Sequence, residues 1–130
     1  MNKPINEIDL SYASIVYVKP IVYYTYKEDA ELGFPEIREL IAWAEKLSEY
    51  NSYVTFADAR VNMSITNEGK RFLTNLENMP LFRGTAAWVD NSIYKHAANF
   101  LNYYNRPKYP FRAFTSKGEA INWLLSLPLD

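Results

Sequence analysis

The stretch Tyr53-Val54-Thr55-Phe56-Ala57-Asp58-Ala59-Arg60-Val61-Asn62-Met63-Ser64-Ile65-Thr66 decides the class of fold. Its first five residues, Tyr53 to Ala57, have the apolar, β-branched and aromatic character of a short buried strand. Asp58, Arg60, Asn62 and Ser64 then make a polar loop. Near Thr66 a helix begins, with Gly69, Phe72, Leu73 and Leu76 on its inner stripe and Lys70 and Arg71 pointing away. A strand that passes through a polar loop into an amphipathic helix is the unit from which parallel α/β sheets are built.

The unit recurs downstream. Thr85 to Val89 is a second short apolar strand, closed by Asp90-Asn91-Ser92, each of which is able to cap the next helix. In that helix Ile93, Ala97, Phe100, Leu101 and Tyr104 fall at the spacing of a face packed on a sheet. The proline-braced segment Asn105-Arg106-Pro107-Lys108-Tyr109-Pro110 ends it, and Phe111 to Phe114 gives a last strand. Ser116-Lys117-Gly118-Glu119 has capping-box spacing just ahead of the apolar run from Ala120 to Leu127. Upstream, Tyr12 to Val18 and Ile21 to Tyr26 are Val-, Ile- and Tyr-rich strands parted at Lys19-Pro20, where a proline marks a bend rather than a strand centre. Between Pro35 and Ser48 the residues Ile37, Leu40, Ile41, Ala44 and Leu47 recur at helical spacing, with Glu36 and Glu39 near the positive end of the dipole. The order β-β-α-β-α-β-α-β-α predicts one α/β domain over residues 1–130, with a mixed, largely parallel five-stranded sheet, four helices and right-handed crossovers.

Composition narrows the function classes. A hydrophobic share of 48% with 16% aromatics is that of a chain that folds unaided. Fourteen basic against fifteen acidic residues give a net charge of −1, so no strong field recruits nucleic acid or an anionic membrane. The absence of cysteine removes disulfides, thiolate nucleophiles and thiolate metal sites together. Met1-Asn2-Lys3-Pro4 lacks the apolar run of a signal peptide, and no stretch of about 18 apolar residues predicts a transmembrane segment. A cytoplasmic location is the expectation.

Ligands of open α/β sheets collect beyond the carboxyl ends of the strands. That rule selects Asp58, Arg60, Asn62, Ser64 and Thr66 after one strand, Asp90, Asn91 and Ser92 after the next, and Thr115 and Ser116 after the last, as a ligand or partner face. Ser, Thr, Asp and Asn at such junctions also satisfy the first free amides of a helix, their commoner role. Asp58 and Arg60, two apart on extended chain, are more readily an ion pair than a catalytic couple. His96 is the single histidine and flanks the packed stripe of its helix, out of line for a Ser-His-Asp arrangement. One histidine leaves carboxylates alone for a metal, and no loop has calcium-site spacing. Four scattered glycines make no phosphate-cradling loop. The residues therefore predict no catalytic group, no metal and no cofactor. Eleven tyrosines, among them Tyr23, Tyr24, Tyr26, Tyr103, Tyr104 and Tyr109, suit a sheet with one wet face, an interface or a pocket wall. Met79, Leu81 and Phe82, in the connection Asn78-Met79-Pro80-Leu81-Phe82-Arg83, and Trp123, roughly opposite Ile121 and Leu125, are read as an apolar lid or interface.

The strand order, the Tyr53-to-Asp58 strand with its polar loop, and above all Phe111-Arg112-Ala113-Phe114-Thr115-Ser116-Lys117-Gly118-Glu119-Ala120-Ile121-Asn122-Trp123-Leu124 resemble the SpoIIAA-like proteins, relatives of STAS domains. The resemblance spans most of the chain, and its specific part is that terminal motif. It implies a SpoIIAA-like β-α superhelix preceded by an extra amino-terminal strand, and no enzymatic activity. STAS domains act as anti-sigma-factor antagonists or transporter regulatory modules, switched by phosphorylation in an Asp-Ser-Ser-Gly-type motif at the helix after the third strand. At that place this chain reads Ser64-Ile65-Thr66-Asn67-Glu68-Gly69, which departs from the motif and leaves Ser64 or Thr66 as acceptor. Other SpoIIAA-like proteins resemble CRAL-TRIO lipid carriers, which implies an apolar cavity beneath movable helices. Two functions follow: a regulatory or protein-interaction module, whose partner is another protein or a second copy in a homodimer, and a carrier or sensor of a fatty-acid-like ligand.

Overall fold

Period-2 alternation along the central strands sends side chains to both faces of one sheet. The computed structural model describes residues 6–75, 79–105 and 109–129. Within them lie β1 (Glu7–Asp9), β2 (Ala13–Val18), β3 (Ile21–Tyr26), β4 (Ala30–Leu32), α1 (Phe34–Leu47), β5 (Tyr53–Asp58), β6 (Met63–Ile65), α2 (Asn67–Thr74), β7 (Phe82–Trp88), α3 (Ser92–Asn105), β8 (Phe111–Phe114) and α4 (Lys117–Ser126). The main sheet has the order β1-β2-β3-β5-β7-β8. Its first three strands pair antiparallel, and β3, β5, β7 and β8 pair parallel. The expected mixed α/β sheet with four helices is present, widened to six strands by β1.

Three short strands escape the sequence pattern. β1 adds an antiparallel edge to β2, while β4 and β6 form a separate two-stranded parallel sheet, β6 lying where a polar loop was expected. Each is three residues long, too short for alternation to stand out from loop composition. Asp29 and Asn62 fasten this small sheet, with the Asp29 amide donating to the Asn62 carbonyl at 2.7 Å and Asn62 Nδ2 donating to Asp29 Oδ1 at 2.8 Å. Close packing follows: a Cβ on buried Gly69 of α2 would stand 2.7 Å from the Leu32 carbonyl oxygen.

The two faces carry separate core clusters. Ala13, Ile15, Val22, Tyr24, Leu32 and Tyr53 meet Ile37, Leu40 and Ala44 of α1, with Phe72 of α2 packed at the margin. On the other face Ile21, Val54, Phe56, Ala86 and Phe114 meet Ala120 and Leu124 of α4. In the first layer the buried Tyr24 hydroxyl donates to the Leu40 carbonyl at 3.0 Å. Thr55 and Thr85, opposite each other on β5 and β7, pair through their hydroxyls.

Two helix stripes differ from expectation. Ile93 is 76% exposed and Leu73 is 38% exposed, so neither belongs to an inner face. For Ile93 the reason is position along the helix axis. Asn99 lies level with Ala113 near the end of β8, and Ile93 sits about 9 Å farther out at 1.5 Å per residue, beyond the last strand residue. Leu76, Asn78 and residues 106–108, with the side chains of Ala97, Phe100, Leu101, Tyr103 and Tyr104, lie outside the described residues.

Candidate functional site

The parallel strands deliver their last residues side by side. Thr25 of β3, Asp58 of β5, Trp88 of β7 and Phe114 of β8 stand in one register row, on the face that α4 covers. Asp58 ends its strand half-buried, and the chain turns so that Arg60 folds back over the strand ends. Arg60 Nε donates to Asp58 Oδ1 and Arg60 Nη2 to Oδ2, each at 2.9 Å, the bidentate geometry a guanidinium fork makes with a carboxylate. The guanidinium carbon lies over the Trp88 ring, 3.5 Å from its centroid, within the range of a cation–π contact. Lys117 Nζ approaches the same ring at 5.9 Å from the first turn of α4. Trp88 is itself fixed, because its Nε1 donates to the Thr115 carbonyl at 3.2 Å and its ring tilts against Phe56.

The electrostatics of this cluster close on themselves. Burial pushes the Asp58 carboxyl up, but the Arg60 hydrogen bonds and charge, helped by Lys117, outweigh it and hold it below its ordinary value. The Asp58 hydrogen bond raises the Arg60 guanidinium, and the charge of Asp90 adds to the effect. Carboxylates and cations thus alternate as Asp90, Arg60, Asp58, Lys117. The cluster is a charge-balanced surface with an aromatic floor.

The other residues selected from the sequence are dispersed. Asn62 braces the small sheet, and Ser64 lies exposed on β6. Thr66 is the N-cap of α2, its hydroxyl accepting from the Gly69 amide at 3.0 Å. Asp90, after β7, and Ser92, the first residue of α3, are both exposed, and Asn91 Oδ1 between them accepts from the amides of Ile93 and Tyr94 at 3.0 and 3.1 Å. Ser116 caps α4 by accepting from the Glu119 amide. His96 is exposed on α3. Met79, Leu81 and Phe82 stay together: the Met79 amide donates to the Tyr109 hydroxyl at 2.9 Å, and Leu81 and Phe82 pack on the first core cluster. Phe82 opens β7 rather than lying in a connection, and Trp123 packs in the other cluster, 5.8 Å from Phe114. Trp88 and Lys117 were not selected from the sequence, because only strand register and the docking of α4 bring them to Asp58. Among the described residues no three His, Asp or Glu side chains gather to hold a metal ion, and no helix is long and apolar enough to cross a membrane.

Comparison with known proteins begins with one family profile, the domain of unknown function DUF7793, which matches residues 15–127. The chain belongs to the DUF7793 family. No curated protein sequence matches it. Among solved structures the DUF7793 chain is similar to an uncharacterized protein of the DUF3478 family from Shewanella loihica PV-4, described as having a SpoIIAA-like fold. The two share 16% identity with a TM-score of 0.57, covering 86% of this chain and 91% of that one. At that identity the likeness shows the fold. The DUF7793 chain therefore has a SpoIIAA-like fold, as the resemblance implied.

Proposed function

We propose that this DUF7793 domain is a non-enzymatic regulatory or protein-interaction module that receives its partner at the end of the sheet where Asp58, Trp88 and α3 meet. The observation that carries the proposal is the exposure of Ile93 at 76% and Tyr94 at 63% on the first turn of α3. Trp88, with Arg60 laid across it, stands at the same end. Tryptophan, tyrosine and arginine side chains supply much of the binding energy at protein interfaces, and neighbouring large apolar groups exposed to water mark such surfaces. Against catalysis stands the balance of charge just described, in which Asp58, the half-buried carboxylate, is already engaged by two cations. The fold supports the reading only by analogy.

The test compares proteins retained by the wild-type chain with those retained by an Ile93→Ser/Tyr94→Ser double variant whose far-UV circular dichroism is unchanged. Loss of the wild-type partner is expected. Retention of the same partner at equal strength refutes the assignment.

A second reading, a carrier of a fatty-acid-like ligand, draws on Ala57, Ala87 and Ala113, which align in register on the face opposite α4 and give that part of the sheet a low apolar floor. Native mass spectrometry of freshly purified protein separates the readings, because a carrier retains a lipid-sized adduct.

A further inference from the structure

The outer strand of the parallel half is guarded by a side chain. In β8 the carbonyls of Pro110 and Phe114 accept from the Thr85 and Val89 amides of β7, so by strand alternation the backbone groups of Ala113 face outward. Both are taken by one residue of α3. The Ala113 amide donates to Asn99 Oδ1 at 2.8 Å, and Asn99 Nδ2 donates to the Ala113 carbonyl at 3.2 Å. A carboxamide carries one donor face and one acceptor face in a plane, as a peptide unit does, so Asn99 sits where a neighbouring strand would sit.

We infer that β8 is a latent self-pairing edge: when α3 swings away, Ala113 pairs antiparallel with Ala113 of a second copy across a two-fold axis. In an antiparallel ladder directly opposed residues of the hydrogen-bonded kind exchange both of their bonds. The two bonds lost from Asn99 are thus replaced by two of the same kind, and the packing of α3 on β8 sets the cost of opening. The sequence of the strand suits a two-fold. Centring the pair on Ala113 places Arg112 opposite Phe114 of the second copy, and the same contact repeats on the other side. Arg112 is the strand's one charged residue, so no like charges oppose each other. The guanidinium of Arg112 already lies 5.2 Å from the Phe114 ring within the chain. The opposite edge offers no equal site, because β1 is three residues long and flanks Ile8 with exposed Glu7 and Asp9, the usual protection of an edge strand. The inference rests on Asn99 and β8 and not on the docking face proposed above, although α3 bears both.

The experiment uses the full chain carrying Asn99→Ala, followed by sedimentation velocity across micromolar concentrations and by amide hydrogen exchange. A concentration-dependent dimer is expected, with residues 111–115 protected in it. A folded variant that stays monomeric throughout overturns the inference, as does a dimer in which the Ala113 amide exchanges freely. Should the variant fail to fold, exchange in the wild-type chain decides. An Ala113 amide that opens at a distinctly lower free energy than global unfolding supports a guard, and one that exchanges only with global unfolding refutes it.

Discussion

Asp58 receives opposing influences, burial pushing its carboxyl up and the Arg60 fork pulling it down, and the fork prevails. A carboxyl that titrates lower in the native than in the unfolded state stabilises the fold above the ordinary carboxylate range, and that contribution is lost as pH falls through the native value. Arg60→Gln is expected to raise the Asp58 midpoint, followed through its carboxyl-carbon resonance, and to change the stability of the fold little, as for an ion pair whose cation is exposed. An unmoved midpoint would mean that the fork does not set the titration. The ion pair was legible because its partners stand two apart in sequence. Trp88, between Arg60 and the rest of the core, was not, since its place depends on the pairing of β5 with β7.

At the scale of elements, long periodic segments declared themselves and short ones did not. α1 and α4 could be placed from apolar spacing and their caps, whereas β4 and β6 pair only because the segments before α1 and α2 are brought together in space. The start of β7 was also hidden. The register shifts between Tyr53 and Thr55, opposite Gly84, whose φ of 149° lies outside the range of ordinary side chains. A Cβ there would stand 2.7 Å from Leu127 Cδ1 and 3.1 Å from the Pro110 carbonyl oxygen. Gly84→Ala is therefore expected to destabilise the protein by roughly 1–3 kcal/mol in denaturant unfolding, from backbone strain and overpacking together. Wild-type stability would show that the irregularity adapts at no cost.

Across the whole molecule, the α/β class, the parallel half of the sheet and all four helices followed from the alternation of strand and helix patterns. The dispersal of Asn62, Ser64 and Thr66 away from Asp58 did not, because proximity in sequence says little once a second small sheet carries the chain sideways. Leu124, fully buried in the layer under α4, provides a test of cooperativity. Leu124→Ala is expected to cost about 2–5 kcal/mol, and if the two core layers unfold as one unit, fluorescence and circular dichroism transitions should shift together. Separate transitions would show that the layers melt independently. The one-sided cover of α4 also orders events during translation. Ile21, Val54, Phe56 and Ala86 precede residues 117–126 in the chain and are covered on that side only once the helix is made, so a nascent chain halted before α4 is expected to offer that face to chaperones.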